Sequence, residues 1–366
     1  MCGVNKESWF AMKICILSIM NLKHMTLISH YTKFFEDNNI EYDIIYIDKY
    51  KEDEKSEANK IFKYDLDIKR SWPLYKKAIK YWKFKSFATK IIEKEKYDFI
   101  ITWNSFTAIM FSRYLVKNFK NKYIINIRDY AYEKIVPIYL IMKIVVKNSK
   151  LTTISSDGFK KFLPKHEYLF VHSLNEKLVR ESIEKKMETI KKPLKISFIG
   201  YNRFFEVNKC LIDALGNDDR YLLQYYGEGS QVLEEYAKEK KYNNLKFSGR
   251  FSSEKTIEFL KDTDIINNIY GSGNLAVDTA ISIRLYYSVF FQIPILVSDN
   301  TYMSDITKKY NLGFSTDSNY TNLKEELYNW YHGRDLQEYE DGVNEFKEKI
   351  EKDNSKFQHK MIEIFL

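Results

Sequence analysis

The chain reads as an α/β protein built from two doubly wound parallel-sheet domains within its 366 residues. Three observations predict this. Apolar runs of strand length alternate with amphipathic helical stretches. Each run is nearly continuous in apolar residues, as in strands buried on both faces, where helices cover a parallel sheet. The alternation stops near Leu174 and begins again after Pro193.

In the first half, KICILSI (Lys13–Ile19) and EYDIIYID (Glu41–Asp48) are strands. Between them Leu27, Ile28, Tyr31, Phe34 and Phe35 recur at helical spacing and Asp37–Asn39 ends the helix. This is a βαβ unit with a right-handed crossover. Lys49–Lys96 is polar, lysine-rich and read as helical, with a turn at Trp72-Pro73. YDFIITWN (Tyr97–Asn104), YIINIRDY (Tyr123–Tyr130), LTTISS (Leu151–Ser156) and YLFVHS (Tyr168–Ser173) follow as strands. Phe106–Phe119 and Ile135–Lys147 are the helices among them, and Ser156-Asp157-Gly158 reads as a cap. Asn175–Pro193 carries no strand pattern and reads as the connection, so the domains are predicted over 1–190 and 191–366.

In the second half the strands are Leu194–Gly200, Arg220–Gly227, Leu245–Arg250, Asp264–Gly271, Pro294–Asn300 and Leu312–Thr316. Helices fit over Asn208–Leu215, Ser230–Glu239, Ser253–Asp262, Ala276–Phe291 and Thr301–Tyr310, with a helical tail over Leu323–Leu366. The two sheets are expected to face each other across a cleft, with ligands beyond the carboxyl ends of the strands.

Composition bounds the partners. Hydrophobic residues at 45% and charged residues at 30% describe a globular chain. A formal charge of +8 suits weak attraction to anionic lipid or a phosphorylated substrate. Lys and Glu alternate along helices instead of forming a dense basic stripe, which speaks against nucleic acid. Cys2, Cys15 and Cys210 are dispersed, without metal spacing, and point to a reducing, cytoplasmic setting. Cys15 and Cys210 read as small core residues. Met1–Ala11 lacks the build of a signal peptide and precedes the first convincing strand. The longest apolar candidate, IVPIYLIMKIVV, is too short to span a bilayer and contains Lys143.

The strongest chemical signal is KISFIGYNRFFEVNK, Lys195–Lys209: a buried strand, Gly200, a loop with Asn202 and Arg203, then a helix start near Lys209. A helix N-terminus carries unpaired N–H groups and partial positive charge. Glycine lets the backbone approach closely. Arginine forks onto phosphate oxygens and lysine adds a point charge. Together they make a place for a diphosphate.

With the signposts FIGYNR, YYGEG, FSGRF, DTDIINNIYG, SIRLYYSVFFQIPILVSDN and NLGF in this order, the second half resembles GT-B glycosyltransferases. These are enzymes of two Rossmann-like domains. The likeness is to the bacterial kind that builds capsule, exopolysaccharide and related surface glycans from nucleotide sugars. MKICILS from Met12 also begins as such first domains do. The resemblance implies that Arg203 and Lys209 bind the donor diphosphate and act catalytically. It places Gly200, Asn202, Glu228, Gly229, Arg250, Phe251, Tyr270, Gly271, Arg284, Leu285 and Tyr287 around the donor. Arg284–Tyr287 matches a segment that often reads Lys-Leu-Phe-Glu. The chain departs from the retaining subgroup, which has two glutamates eight residues apart; Thr279 and Tyr287 stand there, with Asp278 as a displaced substitute. A phenol hydrogen-bonds a ribose hydroxyl but is no carboxylate.

In the first domain His24, Asn104, Arg128, Tyr130 and Glu133 are the expected acceptor contacts. Asp129 is placed to act as base if configuration inverts, or to orient a hydroxyl if it is retained. Neither an Asp-x-Asp triplet in a plausible loop nor histidine ligand spacing is present, since Asp65–Asp67 sits in the lysine-rich helical stretch. The expected reaction uses no metal and no cofactor, with the nucleotide sugar as substrate. The expected acceptor is a glycan or lipid-linked glycan, reached with peripheral contact at the inner membrane face. A nucleotide-sugar epimerase and a non-catalytic partner of a glycan-assembly complex are the alternatives.

Overall fold

A computed structural model describes residues 12–52, 54–68, 71–174, 193–317 and 319–366. The connection predicted over Asn175–Pro193 falls, except for Pro193, outside the described residues, as do residues 1–11 with Cys2. The chain divides into two compact units, Met1–Val171 with Ser355–Leu366, and His172–Asn354.

The first unit is a seven-stranded parallel sheet in the order β3-β2-β1-β4-β5-β6-β7. Its strands are β1 Ile14–Ser18, β2 Tyr42–Asp48, β3 Lys60–Asp65, β4 Phe99–Trp103, β5 Tyr123–Ile127, β6 Leu151–Ile154 and β7 Leu169–Phe170. Its helices are α1 Ser29–Asp37, α2 Leu74–Glu95, α3 Ser105–Met110, α4 Ser112–Asn118 and α5 Val136–Lys147. Every residue of β1, β2, β4 and β5 is buried, which is why these strands read as continuous apolar runs.

Strand β3 lies inside the stretch read as helical. It is an edge strand, KIFKYD, paired only with β2, and its residues are exposed or half-buried. Asp65 therefore closes a strand. The helix predicted over Phe106–Phe119 is two, α3 and α4, joined at Phe111.

The second unit is a six-stranded parallel sheet, β10-β9-β8-β11-β12-β13. The strands are β8 Leu194–Ile199, β9 Tyr221–Tyr226, β10 Leu245–Ser248, β11 Ile265–Asn268, β12 Ile295–Ser298 and β13 Gly313–Thr316. The helices are α6 Phe205–Leu215, α7 Ser230–Glu239, α8 Lys255–Lys261, α9 Leu275–Thr279, α10 Ile283–Phe291, α11 Tyr302–Lys309, α12 Leu323–Gly333 and α13 Leu336–Phe365. The helix predicted over Ala276–Phe291 breaks into α9 and α10. Ala280 and Ser282 are extended, and the Ser282 hydroxyl caps α10 by accepting from the Arg284 N–H.

Two apolar clusters line the second sheet. One gathers Ile266, Leu285, Ile295 and Phe346; the other gathers Phe198, Leu211, Leu223 and Leu327. The end of α13 belongs elsewhere. Phe357, Met361 and Phe365 pack with Tyr31, Phe34 and Phe35 of α1 in the first unit's core. Residues 355–366 thus complete the first unit, although 191–366 reads in sequence as one domain.

Both sheets reverse their strand order once. The switch lies between β1 and β4 in the first unit and between β8 and β11 in the second. The carboxyl ends at such a point are where open α/β sheets take ligands.

Candidate functional site

In the second unit two loops border the switch point. One leaves β8 at Gly200 and enters α6; the other leaves β11 at Tyr270 and enters α9. Phe204 of the first stacks on Tyr270 of the second, with ring centroids 4.1 Å apart at 24°. Tyr270 is one of the expected donor residues; Phe204 is not, although Phe204-Phe205 directly after Arg203 carries the signal.

The loop after β8 also packs backbone to backbone on the loop after β9. Gly200 N–H donates to Tyr226 O, and Asn202 N–H donates to Glu228 O, each at 2.9 Å. Gly227 has φ +129°, and a Cβ there would lie 2.1 Å from Gly200 O. Gly229, at φ +88°, would place a Cβ 2.4 Å from Asn202 O. Only glycine combines this backbone region with so close an approach. Asn202 is buried, donating to Gly200 O at 3.1 Å, while its Oδ1 meets no hydrogen-bond donor.

Arg284 reaches this place from the first turn of α10. Its Nη2 donates to Ile199 O, at the end of β8, and its Nη1 donates to Tyr270 Oη. The guanidinium lies 3.9 Å from the Phe198 ring centroid. A Cβ on Gly200 would sit 3.1 Å from Nη2, so Gly200 leaves room for the arginine. Arg284 is only 5% exposed, and its Nε has no hydrogen-bond partner. Burial lowers its pKa; Tyr270 and Tyr287 work against that, and Arg203 adds to it. Among the described residues no carboxylate pairs with it, and none is among the largest influences on it. A buried cation compensated only by neutral oxygens and rings is an unfinished electrostatic arrangement.

Arg203 is exposed, 5.4 Å from the Phe204 ring. The N-cap of α6 makes no side-chain capping bond, which leaves the first N–H groups of that helix to another acceptor. Buried Asn208 anchors this turn: its Nδ2 donates to Phe204 O at 2.9 Å and Ile269 O at 3.3 Å, and its Oδ1 accepts from Asn267.

Lys209 is expected from sequence at the donor diphosphate. Its Nζ donates to Glu206 at 2.9 Å and lies over the Tyr236 ring of α7. Glu228 and Arg250 are exposed, and Phe251 packs edge-on against Phe259 at 4.9 Å. Gly271 and Tyr270 donate backbone N–H groups to Ser298 Oγ. Leu285 is fully buried core. Tyr287 is half-buried beside Arg284, its phenol pKa raised by burial. Asp278 accepts from Gly273 N–H, pinning the glycine loop, and Thr279 Oγ1 donates to Leu275 O within its own helix. Cys210, read as core, is exposed, while Cys15 is buried.

The carboxyl edge of the first unit is furnished differently. Asn21 is buried and donates to Asp48 at 2.7 Å. Burial pushes the Asp48 pKa up, but the bonds from Asn21 and the N–H groups of Tyr50 and Lys51 outweigh it and hold the carboxyl below its ordinary range. Glu54 accepts from the N–H groups of Leu22 and Lys23. The exposed His24 lies 3.0 Å from Tyr50 Oη. Asn104, at φ +70°, caps α3 by accepting from Thr107 N–H at 2.9 Å. Arg128 is half-buried over the Trp103 ring, and Tyr130 packs edge-on to Phe162. Asp129 is exposed. Glu133, expected at the acceptor, is fully buried and accepts from Ala131 N–H. Burial raises its pKa, against the Ser105 and Ala131 contacts. It fastens the loop after β5.

Among the described residues no three His, Cys, Asp or Glu side chains gather as a metal would need, and no helix is long and apolar enough to cross a membrane. No protein-family model matches the chain, and no curated protein matches it in sequence. Solved structures do match. The chain is similar to the sucrose-phosphate synthase of Thermosynechococcus elongatus, with a TM-score of 0.66 at 10% identity, over 97% of this chain and 95% of that one. It is similar to HepE of Anabaena in complex with UDP, with a TM-score of 0.65 at 10% identity, over 96% and 100%. It is similar to the lipopolysaccharide outer core galactosyltransferase WaaB, with a TM-score of 0.62 at 13% identity, over 96% and 99%. Two doubly wound parallel sheets and these likenesses together give the chain the GT-B glycosyltransferase fold, two Rossmann-like domains in sequence.

Proposed function

We propose that this chain is a cytoplasmic glycosyltransferase that moves a hexosyl group from a nucleotide sugar to a glycan acceptor, lipid-linked at the inner membrane face, in surface-polysaccharide assembly. The observation that carries the reading is Arg284: a buried guanidinium at the switch point of the second sheet, with no carboxylate paired to it among the described residues. It lies beside Arg203 and near the uncapped start of α6. A diphosphate supplies the negative charge this arrangement lacks. The neighbour HepE was solved with UDP, which makes uridine diphosphate the first probe.

In the transfer, the bond from the sugar's anomeric carbon to the diphosphate oxygen breaks and a bond to the acceptor oxygen forms. Charge develops on the leaving diphosphate. Arg203, Arg284 and the α6 N–H groups are fixed there and do not reorganise as it forms, so the protein's own cations do the work a metal ion does elsewhere. Gly227 and Gly229 hold the loop next to the phosphates, and Tyr287 offers its phenol to the ribose. At the first unit's edge the exposed Asp129 takes the acceptor's proton in an inverting reaction, or orients a hydroxyl in a retaining one.

The test is thermal unfolding against a panel of nucleoside diphosphates, with and without chelator. A ligand at a hundred times its Kd adds about 2.7 kcal/mol of stability by linkage. One nucleoside diphosphate is expected to raise the midpoint, insensitively to chelator, and Arg203→Ala is expected to abolish the shift. Arg203 is exposed, so that variant folds. No shift with any nucleotide overturns the proposal and favours a non-catalytic partner that kept the fold.

A further inference from the structure

In the first unit, α2 and α5 present apolar side chains to solvent. On α2, Tyr75, Ile79 and Trp82 form one stripe at helical spacing, opposite the buried Phe84, Ala88 and Ile92; Trp82 is 71% exposed. On α5, Val136, Leu140 and Ile144 form a second stripe, opposite Met142, Val145 and Val146; Val136 is 68% exposed. Scattered exposed apolar residues are ordinary, but stripes along whole helices are not.

Both stripes point the same way. Right-handed crossovers put the helices between β3 and β6, α2 to α5, on one face of the sheet. The contacts agree: Phe84 of α2 meets Phe111, at the junction of α3 and α4, and both α3 and α4 pack on α5. The outer surface of one helical layer therefore carries the two stripes.

The charge around them has one sign. From Leu74 to Lys90 the sequence has six lysines and no acidic residue. From Lys134 to Lys150 it has four lysines and none. Glu93 and Glu95 stand only in the last turn of α2, beyond the stripe. Aromatic and aliphatic side chains interleaved with lysines match the headgroup boundary of an anionic bilayer, where the apolar face enters and the ammonium groups meet lipid phosphates. A protein partner would be expected to need a shaped apolar patch with hydrogen-bonding groups of both signs at its rim, not lysine-rich helix segments.

We propose that the α2–α5 face of the first unit docks on anionic lipid bilayers. The proposal deepens the transferase reading, on which it rests for the location of its acceptor. Vesicle binding itself needs no donor, no acceptor and no intact phosphate site.

Sedimentation of the full chain with phosphatidylcholine vesicles, and with equimolar phosphatidylcholine and phosphatidylglycerol, tests it. Binding is expected to the anionic vesicles alone and to fall as salt rises. The pair Ile79→Ser with Trp82→Ser is expected to weaken it about tenfold, and Val136→Ser with Leu140→Ser to a similar degree. Reversing Lys76, Lys80 and Lys83 to Glu removes the anionic preference. These positions are exposed or half-buried, so each variant keeps the wild-type thermal midpoint, and that midpoint checks that a loss is not misfolding. Arg203→Ala is expected to bind vesicles as the wild type does, so a failed donor site and a failed membrane face give different results. Absence of binding, binding untouched by both serine pairs, or a concentration-dependent dimer that the same pairs dissolve each overturns the proposal, the last by naming a second copy as the occupant.

Discussion

At the carboxyl edge of the first sheet, polar side chains answer one another. Asn21 bonds Asp48, Glu54 caps the turn at Leu22 and Lys23, Asn104 caps α3, and Glu133 is folded under its own loop. At the carboxyl edge of the second sheet, the backbone does the packing and the charge is left over. Gly227 presses on Gly200, Gly229 presses on Asn202, and Arg284 lies buried with no counterion among the described residues. The same topology thus carries one edge organised by side-chain hydrogen bonds and one that keeps a buried cation. A buried cation is stabilised by an anion brought to it, which is why the proposed donor site is placed at the second edge.

The largest expected effect comes from breaking the backbone contact of the second edge. Gly227→Ala combines φ +129° with a Cβ 2.1 Å from a carbonyl oxygen. A loss of about 3 kcal/mol or more is expected in denaturant unfolding. Gly273 is the control: φ is +90°, but nothing lies within 4 Å of its Cβ site. Gly273→Ala is expected to cost about 1 kcal/mol, for backbone conformation alone. Equal costs at the two positions would mean that the loops are not pressed together.

Next comes the charge itself. Arg284→Met removes a buried cation while keeping much of its packing. The ligand-free midpoint is expected to hold or rise, and the nucleoside diphosphate shift to vanish. A falling midpoint with the shift preserved would make Arg284 a structural residue. Its counterpart at the first edge is Asp129→Asn. It is expected to leave stability unchanged and lower kcat about a hundredfold, within the usual range for a lost general base. Unchanged turnover would remove Asp129 from the reaction.

Glu133 sharpens the contrast within one loop. Its pKa is raised by burial, so the native state binds a proton more tightly than the unfolded chain. The stability from that proton is complete below the ordinary glutamate range and is lost as pH rises through the elevated value. Glu133→Gln is expected to flatten this part of the stability–pH curve while leaving the nucleotide shift intact. A curve that keeps its slope in the variant assigns the titration to another group.

How much of this was legible in sequence follows from where each signal resides. Strands buried on both faces announce themselves as apolar runs, so β1, β2, β4, β5 and β8 could be read directly. Strand β3 could not: an edge strand with half its residues in solvent needs no apolar run, and KIFKYD looks like the lysine-rich helix that follows. Phe357, Met361 and Phe365 are spaced as one helix face, yet no local pattern says which core that face enters. Gly200, Gly227 and Gly229 were legible because close backbone approach is a property of glycine itself. That Arg284 is buried without a carboxylate was not, because the missing partner is a fact about its surroundings.

The smallest expected effect tests the residue for which sequence and structure part most clearly. Lys209 reads as a phosphate ligand by position, four residues into the helix after the glycine loop. In the structure its ammonium pairs with Glu206 and lies over Tyr236, facing α7 instead of the switch point. Such an i,i+3 surface pair contributes about 0.5 kcal/mol or less. If Arg284 supplies the second positive charge, Lys209→Ala weakens nucleoside diphosphate affinity less than about threefold, by long-range attraction alone. The comparison with Arg203→Ala is decisive, because both side chains leave the same loop–helix junction and differ in direction. Loss of the nucleotide shift in both variants would mean that Lys209 leaves Glu206 when the ligand arrives, and that the charge deficit at this edge is met by a moving side chain as well as a fixed one.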